Sequence, residues 1–406
     1  MEKRIVITGV GIVSSIGIGK KQFWDNLLKG KSGISKVELF DTSNYQSHNG
    51  GEIKNFDGKE FISLRTLIFL GRASQLAVAA TKLAIEDAGL EHKQFSKFKV
   101  SVCMGTTMGE IQSIESLNKS FVEKEFFEKL DRTLVFQSSV NNIPVDVAME
   151  FKLKGRNRIF TTACAAGNYA ISYGVDLLRM GEADYVVAGG SDSFSRIAFT
   201  GFDKVNAIAP EKCQPFDKNR KGMIPGEGAG VLILETLESA KKRNANIYAE
   251  VLGCGLSCDA FHMTQPLVDG LVDCIENALK ICKVDRKDVD YICAHGTGTV
   301  HNDKAECRAI NRVFDNKKIA TSSCKSMLGH TMGAASAIEA IACCLAVKND
   351  IIPPTINYVT PDPECDIDCV PNKAREQRIN VVLNNGFAFG GNHACLVLKK
   401  VKIKGE

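Results

Sequence analysis

The sequence predicts an α/β fold built from two related halves. Short β-branched runs end at glycines and lead into stretches with helical apolar spacing. The runs read as buried strands covered by helices. The same succession of strand and turn patterns then recurs, in order, in the second half of the chain.

Arg4–Thr8 reads as a strand that ends at Gly9-Val10-Gly11. Ala73–Ala88, dense in alanine at helical spacing, reads as a helix. Lys99–Met104 is a strand running into Gly105-Thr106-Thr107. Glu110–Arg132 is a charged, helical insertion whose apolar residues (Ile111, Ile114, Leu117, Phe121, Phe126, Phe127, Leu130) would pack one face, or would cap a pocket or meet a second subunit. Asp184–Ala188 leads into Gly189-Gly190, and Gly230–Glu235 is a further strand. In the second half, Ile247–Gly255 resembles Arg4–Gly11, and Asp290–Thr299 resembles Lys99–Thr107. Lys325–Cys344 resembles Thr162–Leu178, and Val381–Gly391 with Ala394–Lys399 echoes the strands around 186–190 and 230–235. The halves are 1–245 and 246–406. Active sites of α/β sheets lie at the carboxyl ends of strands, so both halves are expected to serve one cleft.

The 406 residues are 44% hydrophobic and 24% charged, which excludes a disordered, collagen-like or membrane-spanning chain. Lys plus Arg (51) against Asp plus Glu (47) leaves a net charge of +4, too small to argue for nucleic acid. Fifteen cysteines include no CxxC pair and no zinc spacing, and read as buried hydrophobes in a reducing, cytoplasmic setting. Met1–Gly9 lacks the apolar run of a signal peptide, and no apolar stretch approaches the roughly 20 residues that cross a bilayer.

Cys164 stands out. A β-rich run feeds into Thr162-Ala163-Cys164-Ala165-Ala166-Gly167, and helical spacing follows, so the thiol sits at a helix N-terminus. The helix dipole and free amides there are expected to lower its pKa, and the small neighbours leave room for a carbonyl. A nucleophile needs partners. His295, in His295-Gly296-Thr297-Gly298-Thr299, and His330, five residues after Lys325, both lie in glycine-rich turns at element ends. His48, His92, His262, His301 and His393 have weaker settings and are assigned structural or exposed positions.

These pieces, with Gly386-Phe387-Ala388-Phe389-Gly390-Gly391, Asp259–Thr264, Pro215-Phe216-Asp217, Gly226–Gly230 and Pro353–Asn357, resemble the elongating, Cys-His-His β-ketoacyl-acyl-carrier-protein synthases over nearly the whole chain. The resemblance implies the duplicated thiolase fold, layered α-β-α-β-α, and a dimer. It implies that Cys164 accepts an acyl group from a carrier protein and that a malonyl thioester then decarboxylates and attacks it. The amides of Cys164 and Phe389 would form the oxyanion hole. His295 and His330 would hold the enolate oxygen from Nε2, and Lys325 would hold the histidine network. Thr297 and Thr299 would bind the pantetheine arm, although turn hydroxyls also satisfy their own backbone. Phe389 would gate the site, and Met108, Phe202 and Phe387 would line the substrate pocket. No organic cofactor or metal is implied, because phosphopantetheine arrives on the carrier. A monovalent cation is in doubt, since Cys293 replaces an Asn and leaves Glu339, Asn384 and Asn385.

The sequence departs from the family pattern at several positions. Ala388 replaces a Gly of the gate and is expected to stiffen it. Asn392-His393 replaces Thr-Asn, and Glu110 is expected to alter the pocket mouth. The apolar stretch Ser63–Leu70 is expected to dock an unusual carrier or a second subunit. Arg65, Arg72 and Lys204 are candidates for contacting an acidic carrier. A type II polyketide or polyene ketosynthase, alone or paired with a chain-length partner subunit, is the competing enzyme reading. A non-catalytic chain-length subunit, or a thiolase acting on coenzyme A, are the others.

Overall fold

The computed structural model describes residues 3–124 and 131–401. Ten strands form one path through the main sheet: β1 (Ile5–Ser14), β2 (Val100–Gly105), β3 (Asn157–Phe160), β4 (Tyr185–Asp192), β5 (Gly228–Thr236), β6 (Ala249–Cys258), β7 (Tyr291–Cys293), β8 (Ala320–Ser322), β9 (Val381–Phe387) and β10 (Asn392–Lys399). Their order is 8-7-9-10-6-1-5-4-2-3. Read outward from the centre, the first half runs 1-5-4-2-3 and the second 6-10-9-7-8, the same order offset by five. The senses also match. β1/β5 and β5/β4 are antiparallel, β4/β2 and β2/β3 parallel, and the second half repeats this. β1 and β6 join the halves through Ile5–Ile7 and Ala249–Val251.

Five helices complete the layers: α1 (Arg72–Asp87), α2 (Ala166–Arg179), α3 (Val268–Cys282), α4 (Val300–Val313) and α5 (Ala335–Asn349). α1 packs on β1, β5 and β4, whereas α3 packs on β6 and β10. α2 and α5 lie between the halves and touch strands of both. Burial follows this plan. One core fills the central layer (Ile7, Leu232, Ile338, Leu396), a second lies under α1, and a third lies under α3 and α4. The five layers implied by the family resemblance are present.

Two sequence expectations change. Gly9 and Gly11 do not end the first strand, which continues to Ser14; they lie within it because a Cβ there would run into the Ala84 and Ala80 carbonyls of α1. Gly189 and Gly190 likewise sit inside β4, and Gly189 lies against the Gly230 carbonyl of β5. The insertion forms the helix Ile111–Lys124 and ends at the first residue of a further helix, Arg132–Gln137, but Ile114 and Phe121 face outward rather than packing inward. Phe126, Phe127 and Leu130 lie outside the described residues. Met332–Asn349 is apolar and long enough to cross a bilayer, contrary to the sequence expectation, but 89% of it is buried inside the fold.

Candidate active site

The nucleophile turn is Ala163–Ala165, a 3-10 turn that opens α2. Ala163 takes φ 47°, a left-handed conformation an alanine adopts at a cost of roughly 1–2 kcal/mol. The turn places Cys164 in the lining of a narrow cleft, together with His295, His330, Thr297 and Phe389. His295 follows β7, and His330 follows the short helix Lys325–Leu328; both are buried. Sγ of Cys164 and a ring nitrogen from each histidine lie within 4.8 Å of one another. The two imidazoles meet edge to face, with centroids 5.4 Å apart. Among the described residues these three also form the set able to ligate a soft metal ion.

The electrostatics of the thiol differ from the expected lowering. Burial pushes Cys164 up to about 12, while the Lys325 charge and hydrogen bonds from the amides of Cys164 and Phe389 act in the opposite direction. The enclosure of the sulfur outweighs its position at the helix N-terminus. The amides of Cys164 and Phe389, expected to form an oxyanion hole, favour the thiolate against that burial. Burial, with Lys325 beside them, holds both histidines well below their ordinary pKa and therefore neutral. His330 Nδ1 accepts a hydrogen bond from the Met332 amide at 3.1 Å, so its proton resides on Nε2.

Lys325 is fully buried and ion-paired with Glu339. Burial opposes its charge, but Glu339 more than compensates, and the ammonium is retained. The His295 turn is held by two carboxylates on α4. Glu306 accepts the amides of His295 and Gly296, each at 2.8 Å, and Asp303 accepts those of Gly298 and Phe216. Thr297 and Thr299 line the cleft and hydrogen-bond each other at 2.8 Å.

Phe202, Phe387 and Phe389 line the cleft as expected, with Phe202 and Phe389 5.9 Å apart. Met108 does not line it; the Met108 amide is tied to Asp192 behind the nucleophile turn. Ala388 is extended, at φ −105° and ψ 154°, a conformation that does not require glycine; Gly390 and Gly391 supply the left-handed bend that follows. Glu110 is buried away from the cleft, where it accepts the Ala73 and Ser74 amides at the start of α1. Arg72 is engaged by Glu227, which leaves Arg65 and Lys204 as the exposed cations of the trio.

The sequence reading missed the stretch from His262 to Pro266, which forms one wall of the cleft, and Asn302. His393, assigned a structural or exposed position, is structural: buried, it meets Asp259 at 3.1 Å and the Phe387 ring at 5.4 Å. The signal for Glu306 was available, since it is an acidic residue on the helix that follows a glycine-rich turn. Glu339 Oε2, Asn384 Oδ1 and Asn385 Oδ1 are buried oxygens without a hydrogen-bond partner among the described residues, the donor chemistry an alkali cation takes. They fit such an ion in kind, although Asn384 and Asn385 are neighbours on a strand and face opposite sides of it.

A duplicated α/β frame with a cysteine and two neutral histidines converging from its two halves defines an acyl-thioester enzyme. The comparisons give the family. Residues 2–240 match the β-ketoacyl synthase N-terminal domain, and residues 248–359 match the C-terminal domain. The chain is 38% identical to a 3-oxoacyl-[acyl-carrier-protein] synthase 2 of Coxiella burnetii, covering 99% of this chain and 100% of that one. It is 37% identical to its counterpart in Staphylococcus aureus, covering 98% of each. A chain of the solved ishigamide ketosynthase/chain length factor superimposes with a TM-score of 0.96 at 42% identity, covering 99% and 100% of the two chains. A type II polyketide ketosynthase solved with its acyl-carrier protein gives 0.91 at 31%, again covering 99% and 100%. The chain belongs to the β-ketoacyl synthase family. It has the thiolase fold and is an acyl-transferring condensing enzyme of the elongating type.

Proposed function

We propose that the enzyme lengthens a carrier-bound acyl chain by two carbons, using carrier-bound malonate, in fatty acid elongation. The observation that carries this reading is the convergence of Cys164, His295 and His330 within 4.8 Å. In the first stage the Cys164 sulfur attacks the acyl thioester. The carrier thiol leaves with the cysteine's proton, and the amides of Cys164 and Phe389 hold the oxyanion, each donor contributing about 3–4 kcal/mol. In the second stage the malonyl C–C bond breaks and carbon dioxide departs. The electron pair passes to the thioester oxygen, held by the Nε2 protons of His295 and His330. Neutral rings suit this task, because they donate hydrogen bonds without stabilising the starting carboxylate. The enolate carbon then attacks the acyl carbonyl, and the cysteine leaves as thiolate and takes a proton from water. Lys325 fixes the field around both rings. Thr297 and Thr299 would hold the pantetheine, and Phe389 would gate entry.

The pantetheine-bearing carrier is the partner, with Arg65 and Lys204 as exposed cations for its docking. A second subunit, identical or related, would cover the apolar face of Leu64, Ile68, Phe136 and Met149, all more than half exposed. Gln137 bonds the Ile68 carbonyl at 3.0 Å and so brings two of these segments together. Fifteen free thiols suit the reducing cytoplasm. Glu339 and Asn385 would hold a monovalent cation. The 42% identity to a chain of the ishigamide ketosynthase/chain length factor supports a second reading, a type II polyketide or polyene ketosynthase. Intact-mass measurement of Cys164 loading from a panel of carrier-bound chains tests both readings. Saturated chains favour elongation of fatty acids, polyenoyl chains favour the second reading, and no loading refutes both.

A further inference from the structure

The active site has a structural duplicate whose contents are different. Thr162, Ala163, Cys164, Ala165 and Ala166 correspond one for one to Thr331, Met332, Gly333, Ala334 and Ala335. Each set is a threonine, a left-handed residue (φ 47° and 53°), a 3-10 turn and the first residue of a central helix. In the first turn the amide of Cys164 faces the reacting sulfur. In the second, the equivalent amide, that of Gly333, donates to Asp192 Oδ2 at 2.6 Å. The same oxygen takes the Thr107 amide at 2.7 Å, and Oδ1 takes the Met108 amide at 2.9 Å and the Thr106 hydroxyl at 2.7 Å. Asp192 is fully buried. Its carboxylate occupies the place in the second half where the first half would receive an acyl oxygen.

The consequence reaches the catalytic ring. Met332 immediately precedes Gly333, and its amide donates to His330 Nδ1. Because Met332 is held at φ 53°, the directions of the two adjacent amides are set together. We infer that Asp192 is the positioning residue for His330: a fixed internal anion that, by holding the Gly333 amide, keeps Met332 aimed at Nδ1 and the proton on Nε2. Without the carboxylate, the buried Gly333 amide and the part-buried Thr107 and Met108 amides lose their acceptor, and the turn has reason to relax.

The kinetic part of this inference rests on the proposed condensation; the tautomer part does not. The test uses full-length enzyme with 15N-labelled histidine and the variant Asp192→Asn. The wild type is expected to show His330 as the Nε2–H tautomer, and the variant a mixture with Nδ1–H. Malonyl-thioester decarboxylation is expected to fall on the order of 10- to 100-fold in kcat with KM unchanged, as for loss of a partner that orients a catalytic group. Acyl loading of Cys164, read by intact mass, should persist. An unchanged His330 tautomer, or a parallel loss of loading and decarboxylation, overturns the inference. If the wild type releases no carbon dioxide, the condensation reading fails while the tautomer comparison still decides the role of Asp192. Should Asp192→Asn fail to fold, Asp192→Ala is measured with and without formate. Return of the Nε2–H signature in formate supports the role, and no difference overturns it.

Discussion

The nucleophile turn and its counterpart at Gly333 share a backbone and differ in what faces it. Thr162 and Thr331 have φ/ψ of −91°/40° and −85°/29°, and each turn launches a helix into the central layer. One carries a thiol with two amides aimed at it. The other carries a glycine pressed against the Thr106 backbone, with its amide bound to Asp192. Duplication supplied the strained frame twice, and the side chains assigned reaction to one copy and orientation to the other.

The largest effect expected comes from removing that difference. Cys164→Ala should lower condensation by on the order of 10⁶-fold, the scale of nucleophile deletion. Carbon dioxide release from malonyl thioester should continue, because the two histidines remain; gas release and product mass measured together check this. Next is the ion pair of the second half. Lys325→Met leaves Glu339 buried without its partner and should cost about 3–5 kcal/mol in urea unfolding, whereas adding Glu339→Leu should recover most of that.

The carboxylate that distinguishes the second turn should leave a trace in pH dependence. Burial raises Asp192 to about 6 from an ordinary 3.8, with its hydrogen bonds opposing. The folded state therefore holds the proton more tightly than the unfolded state. This contribution to stability is complete below the unfolded pKa and is lost as pH rises through the folded one. Between these two values Asp192→Asn should remove a slope of up to about 1.4 kcal/mol per pH unit, measured by unfolding at stepped pH. Smaller effects come from the glycine and alanine of the turns. Gly333→Ala would drive a Cβ into the Thr106 backbone and should cost about 1–3 kcal/mol. Ala163→Gly relieves a left-handed alanine and should stabilise by about 1 kcal/mol, both read as shifts in the urea midpoint.

Much of this was legible in the sequence. The strand and helix periodicities predicted two α/β halves, the family resemblance implied their layering, a helix N-terminus among small residues pointed to Cys164, and glycine-rich turns at element ends pointed to His295 and His330. Local pattern did not show what depends on distant packing. Gly9, Gly11 and Gly189 look like turn residues, yet serve close approach inside strands. The direction of the Cys164 shift depends on how completely the fold encloses the sulfur, which no spacing reveals. Glu110 and Asp192 are acidic residues near apolar runs, and their roles emerge only when amides more than 30 residues away are brought to them. His393 could be assigned only a structural or exposed position, because its partner Asp259 lies 134 positions away.

The position of β10 has a consequence for biosynthesis. The last strand of the sheet in sequence lies between β9 and β6, next to the seam of the two halves. A nascent chain therefore presents β6 with an open edge until residues 392–399 have left the ribosome, and chaperone binding in that interval is the expected safeguard. Premature termination just short of this segment should yield aggregates rather than a shortened enzyme.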